Sequence, residues 1–200
     1  MIIVLDGMDA TYKTTIARKL EHLYGFKVIR FPYYRKEVET KLINAKTPEE
    51  KAKIFFEDMK KVMTNINPND KIILDRSFIS TMLYQGTEIS ENENIPYEKS
   101  INKLYNLLKE IYDYTSIIDH IFILTVSDEE YIERTLNRNH NDNIDKAYDK
   151  LEFQRKIREK IPYVIKFLIE KGIKVNIIDT TGKTSNEIIE KEILPAIIQF

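Results

Sequence analysis

The stretch Ile2-Ile3-Val4-Leu5-Asp6-Gly7-Met8-Asp9-Ala10-Thr11-Tyr12-Lys13-Thr14-Thr15 decides the fold. Its four leading apolar residues, mostly β-branched, predict a strand buried on both faces. Downstream, Ile16, Ala17, Leu20, Leu23 and Tyr24 recur at helical spacing, so a helix opens at Lys13. The segment between strand and helix reads as a phosphate-binding loop, in which backbone N–H groups surround phosphate oxygens, a lysine reaches the terminal phosphates and a hydroxyl holds Mg²⁺. Lys13 and Thr14 fit the last two roles. The residue before the lysine is usually glycine, because the turn there needs positive φ. Here it is Tyr12, which would cost about 1–2 kcal/mol in that conformation.

Four more Ile-, Val- and Phe-rich runs follow: Lys27 to Phe31, Lys71 to Leu74, His120 to Val126 and Lys174 to Ile178. They alternate with amphipathic stretches, so the predicted fold class is α/β, a five-stranded parallel sheet flanked by helices. Helical spacing is clear in Ile54, Phe55, Met59 and Val62, in Ile101, Leu104, Tyr105, Leu108 and Ile111, and in Ile157, Ile161, Ile165 and Leu168, and all three sets read as core. Ligands of open parallel sheets bind beyond the carboxyl ends of the strands, which predicts a cluster at Asp6, Arg30, Asp75 and Asp179. Thr87 to Pro96 reads as a solvated loop without function.

A chain of 200 residues without a Pro/Gly/Ser-rich linker predicts one domain over 1–200. The net charge of −1 lacks the basic excess of non-specific nucleic-acid or membrane binders. The absence of cysteine excludes disulfides and Cys-based zinc sites, His22, His120 and His140 are scattered, and Mg²⁺ is the one metal implied. The N-terminal apolar run is too short for a signal-peptide core and no segment stays apolar long enough to span a bilayer, so a cytoplasmic location is expected.

A second signal is Asp75-Arg76-Ser77-Phe78-Ile79-Ser80-Thr81-Met82-Leu83-Tyr84-Gln85-Gly86, directly after Ile72-Ile73-Leu74. An aspartate at a strand end can organise Mg²⁺ or accept a proton, and an adjacent arginine can hold phosphate bidentately.

Together these segments resemble the thymidylate kinases, P-loop enzymes that transfer the γ-phosphoryl of ATP to dTMP. Asp6-Gly7-x-Asp9 with Lys13-Thr14-Thr15 is similar to that family's P-loop, and Asp75-Arg76 with Ser80, Tyr84, Gln85 and Gly86 to its most diagnostic segment. The resemblance implies the following roles. Asp9, Lys13, Asp75 and Arg138 would be catalytic, and Thr14 and Asp75 would hold Mg²⁺. Gly7, Asp9, Ala10, Thr11, Tyr12, Lys13, Thr14, Thr15, Arg134, Asp179 and Thr180 would bind ATP. Arg76 would hold the acceptor phosphate with Phe31, Pro32 and Arg35. Phe56 would stack on the base that Lys60 reads in place of the family's arginine, and Thr81, Tyr84 and Gln85 would complete the acceptor site, with Tyr84 excluding a 2′-hydroxyl. A basic lid over about 134–150, including Lys146, would supply the transition-state arginine, because the P-loop position used by one branch of the family is Ala10. Phe153, Arg158 and Tyr163 keep the family's spacing on the next helix, and a homodimer is implied. A deoxynucleoside or modified-base kinase on the same fold, or a catalytically impaired nucleotide-binding protein, are the alternatives.

Overall fold

The computed structural model describes residues 1–67, 69–137 and 151–198. Five parallel strands, β1 (Ile2–Gly7), β2 (Lys27–Arg30), β3 (Ile72–Asp75), β4 (His120–Thr125) and β5 (Val175–Asp179), form one sheet in the order β2-β3-β1-β4-β5. β1 lies between β3 and β4, with Val4 paired to Leu74 on one side and to Ile121 on the other. The alternation of side chains along a strand divides the core in two. Ile2, Val4, Ile72, Leu74, Ile121 and Ile123 face one cluster, while Ile3, Leu5, Ile73, Phe122 and Leu124 face the other.

The first cluster is covered by α3 (Pro48–Met63), α4 (Phe78–Glu93), α5 (Tyr97–Tyr112) and α7 (Leu151–Glu170). The second is covered by α1 (Lys13–Tyr24) and a C-terminal segment made of α8 (Ser185–Ile188), a π-turn (Ile189–Ile193) and α9 (Leu194–Ile198). Two further helices, α2 (Arg35–Leu42) and α6 (Asp128–Leu136), follow β2 and β4. Among the described residues no helix is long and apolar enough to cross a membrane.

The structure corrects two readings. Thr87 to Glu93 continue α4 instead of forming a loop: Ile89 is buried, and the Thr87 hydroxyl donates to the Leu83 carbonyl at 2.6 Å. The acidic residues occupy its outer face, with Glu88 paired to Lys51 at 3.1 Å, and the helix stops at Asn94, which adopts the left-handed conformation at φ 51°. On α3 the buried residues are Ala52, Phe56, Asp58, Met59 and Met63, so the apolar stripe is rotated by one position from the expected one and Phe55 is left only partly covered.

Candidate active site

The carboxyl ends of β1 and β3 build the centre of the site. β1 runs through Gly7, whose φ of 111° suits glycine and whose missing Cβ would overlap the Leu124 carbonyl of β4. This contact lets the Met8 N–H donate to the Leu124 oxygen at 3.0 Å and turns the chain into the loop. Ala10 and Tyr12 then take positive φ, 58° and 64°, and α1 starts from Tyr12 without a side-chain cap. The first turn of α1 has no acidic residue, so its amides and the helix dipole favour an anion. Lys13 is buried within this turn and donates to the Met8 carbonyl and, at 3.2 Å, to the Thr11 hydroxyl. Burial, reinforced by the positive charge of Arg76, pushes its ammonium down to about 8.

Thr14 donates to Asp75 at 2.6 Å, bringing hydroxyl and carboxylate together at the mouth of the loop. The Arg30 guanidinium lies 3.7 Å from the same carboxylate. Asp75 is followed by Arg76 at φ 74°, whose N–H bonds the Leu5 carbonyl at 3.0 Å and whose side chain forms an ion pair with Asp9. Asp6 holds this turn from beneath: its carboxylate accepts from the Ser77 hydroxyl at 2.8 Å, the Ser80 N–H at 3.1 Å and the Ser80 hydroxyl at 2.6 Å. Full burial raises the Asp6 pKa, against the opposing effect of those hydrogen bonds.

Two cavities open here. One is an open cleft lined by Ala10 to Thr15, Asp75 and Arg134. The other is lined by Asp9, Phe31, Pro32, Arg35, Phe55, Met59, Ser80, Thr81, Tyr84 and Gln85. Arg30 and Arg76 line both. The loop carrying Phe31 and Pro32 is clamped by the buried Asp58, whose two oxygens accept from the Tyr33 and Tyr34 N–H groups at 2.6 and 2.9 Å.

Gln154 of α7 was not anticipated. Fully buried, it accepts from the Asp9 N–H at 3.0 Å and its amide donates to the Asp9 carboxylate at 3.2 Å and to the Tyr84 hydroxyl at 3.1 Å. Burial, helped by the nearby Asp9 carboxylate, raises the Tyr84 pKa well above its ordinary value and keeps the phenol neutral. The sequence signal was a glutamine one turn before Ile157 on an apolar helical stripe.

Several expected positions move. Phe56 is 1% exposed and belongs to the core, and exposed Lys60 does not line the cleft; Phe55 and Met59, at the same spacing one residue earlier, do. Asp179 turns onto its own loop, accepting from the Thr181 N–H and hydroxyl at 3.0 and 2.6 Å, whereas Thr180 bonds Arg134. Arg158 is engaged with the Val126 carbonyl and Asp128, each at 2.7 Å, and Tyr163 packs on Tyr97. Arg35 begins α2 and pairs with Glu39 at 3.5 Å while lining the cleft. Arg138 and Lys146 lie outside the described residues, as does the lid beyond residue 137.

A loop of this geometry between β1 and α1, on a parallel sheet of this order, defines the P-loop kinase fold. Comparison with solved structures agrees. The chain is similar to thymidylate kinase from Candida albicans, with 22% identity and a TM-score of 0.69 over 98% of this chain and 91% of that one. It is also similar to deoxyadenosine kinase from M. mycoides with bound dATP, with 17% identity and a TM-score of 0.63 over 96% and 99%. The same deoxyadenosine kinase with products dCMP and dCDP matches at 15% identity and a TM-score of 0.64 over the full length of both chains. No protein-family model and no curated protein matches the sequence.

Proposed function

We propose that this protein is an ATP- and Mg²⁺-dependent kinase that converts a deoxynucleoside monophosphate, dTMP first, to its diphosphate. One observation carries the reading: the P-loop cavity and the apolar cleft meet at Arg30 and Arg76, with Arg35 on the cleft side. Cations at the junction suit an acceptor whose reacting end is itself a phosphate. ATP enters the loop cavity, where the amides of residues 10–15 and Lys13 hold its phosphates. The site's hard oxygen donors, the Thr14 hydroxyl and the Asp75 carboxylate 2.6 Å apart, fit Mg²⁺, which keeps waters and phosphate oxygens as its other ligands. Bound there it would neutralise charge on the transferred phosphoryl group.

Arg76, oriented by Asp9, and Arg30 direct an acceptor phosphate oxygen toward the γ-phosphorus. At neutral pH that oxygen is already deprotonated, so no general base is required, and catalysis is positioning and electrostatic stabilisation. Phe55 and Met59 form the wall for the base, with Thr81 and Gln85 offering polar groups to its edge. Tyr84, braced by Gln154, closes the sugar side and leaves no room for a 2′-hydroxyl. Arg138 is assigned to the transferred phosphoryl, Asp179 and Thr180 to the loop bordering adenine, and the working form to a cytoplasmic homodimer. A deoxynucleoside kinase is the second reading, supported by the likeness to deoxyadenosine kinase structures and by a cleft that Lys60, the expected base reader, does not line.

The test is incubation with ATP, Mg²⁺ and a panel of nucleosides and monophosphates, with products separated by chromatography. Formation of dTDP from dTMP is expected. Phosphorylation of thymidine with dTMP left untouched would overturn the assignment of a monophosphate acceptor.

A further inference from the structure

The donor loop has two residues, Ala10 and Tyr12, in left-handed conformations that their side chains disfavour. Arg134 of α6 touches both. Its guanidinium carbon lies 4.0 Å from the centre of the Tyr12 ring, and it donates to the Ala10 carbonyl at 3.0 Å. The same group donates to the Thr180 hydroxyl and carbonyl, each at 2.9 Å, and forms an ion pair with Glu130, which in turn accepts from the Gly182 N–H. The donor loop, α6 and the loop after β5 therefore meet on one guanidinium.

We propose that Tyr12 and Arg134 are a stacked pair of positioning residues that holds the donor loop in its phosphate-binding shape, the task usually left to a glycine, and that Arg134 is thereby committed to the loop and not to the transferred phosphoryl group. This rests on the nucleotide site proposed above. A glycine reaches the turn without strain but is fixed by nothing. A tyrosine resists the turn, yet its ring offers a face on which a planar cation can rest. Arg134 fits this role because a guanidinium can stack and donate in its plane at once, which an ammonium cannot.

The experiment is calorimetric binding of Mg·ADP to the full chain and its variants, with thermal melting as a check on folding. Tyr12→Leu and Arg134→Leu should each weaken binding by roughly tenfold, while Tyr12→Phe, which keeps the ring, should stay within about threefold. Arg134→Lys should behave like Arg134→Leu, because charge without the plane is insufficient. The double Leu variant should lose little more than either single one; a loss of about a hundredfold, the sum of independent effects, would overturn the pair. Equal weakening by Tyr12→Phe and Tyr12→Leu would overturn it as well. In turnover the single Leu variants should raise the KM for ATP and change kcat by less than about threefold. A fall in kcat of roughly 10²–10³ in Arg134→Leu would instead mark a residue acting on the transferred group. If the parent protein bound no adenine nucleotide, the proposed nucleotide site would itself be wrong; if it bound and the variants did not differ, only the pair would be.

Discussion

The two cavities are built by different means. The P-loop cavity takes most of its wall from one continuous segment, residues 10–15, two of whose residues adopt left-handed backbone, and is completed by Arg30, Asp75, Arg76 and Arg134. The apolar cleft draws single side chains from the loop after β2, from α2 and α3, from the turn after β3 and from α4, with Gln154 of α7 behind them. A site made of backbone tolerates an unusual side chain if something else fixes the turn. A site made of side chains from separate elements depends on the exact face each element presents.

The sharpest test of that contrast is the adjacent pair Phe55 and Phe56. Phe56→Ala should destabilise the protein by about 3–5 kcal/mol, read from denaturant unfolding, because the ring is buried in the core. Phe55→Ala should leave most of the stability and raise the acceptor KM. A reversed result would return the base wall to Phe56.

Arg76→Ala should lower kcat/KM for the acceptor by roughly 10²–10³ with a much smaller change in ATP affinity, since it removes a preorganised donor at the point of transfer. Equal losses toward both ligands, measured by separate titrations, would move Arg76 out of the acceptor site. Gln154→Leu removes the acceptor of the Asp9 N–H and one hydrogen bond to the Tyr84 hydroxyl, and should cost about 1–3 kcal/mol in unfolding experiments. It should also raise the acceptor KM more than the ATP KM.

The smallest effect concerns pH. Lys13 is held at about 8 in the free protein, and bound phosphate favours its charged form. Above that pH the free lysine is neutral while the complex still needs the proton, so nucleotide binding should take up a proton and weaken by up to about tenfold per pH unit. Well below it the lysine is charged in both states and affinity should be flat with respect to this group. Calorimetry in buffers of different ionisation enthalpy measures the uptake; none between pH 8 and 9 would remove Lys13 from the phosphates.

The same contrast explains what could be read from the sequence. Strand, loop and helix around the P-loop cavity are consecutive, so the order Ile2–Leu5, Gly7, Lys13, Thr14 showed the fold and the loop, and even the left-handed turn at Tyr12. Of the apolar cleft, the part legible in the sequence was Arg76, Tyr84 and Gln85, which share one turn and helix. The cleft was misread at α3, where the similar pairs Phe55/Met59 and Phe56/Lys60 differ only in which way the helix is rotated, and that rotation is set by Ala52 and Met63 packing elsewhere in the core. Gln154 was missed because its partners are over a hundred positions away in one case, a separation of 145 from Asp9. The acidic end of α4 looked like solvated loop because its polar face carries no mark of the buried Ile89 contact that keeps it helical.

Arg30 and Arg76, facing both cavities, make them one electrostatic compartment. An anion settling on either side lowers the positive potential felt from the other, and the Asp75 and Asp9 carboxylates already take part of that potential from the two arginines. Two polyanions can therefore sit head to head only by dividing the same pair of cations, which brings their facing ends close along the line through the junction. A shared counterion is thus also an aiming device: the attraction that lets both partners enter is the one that lines up the atoms between which a group can pass.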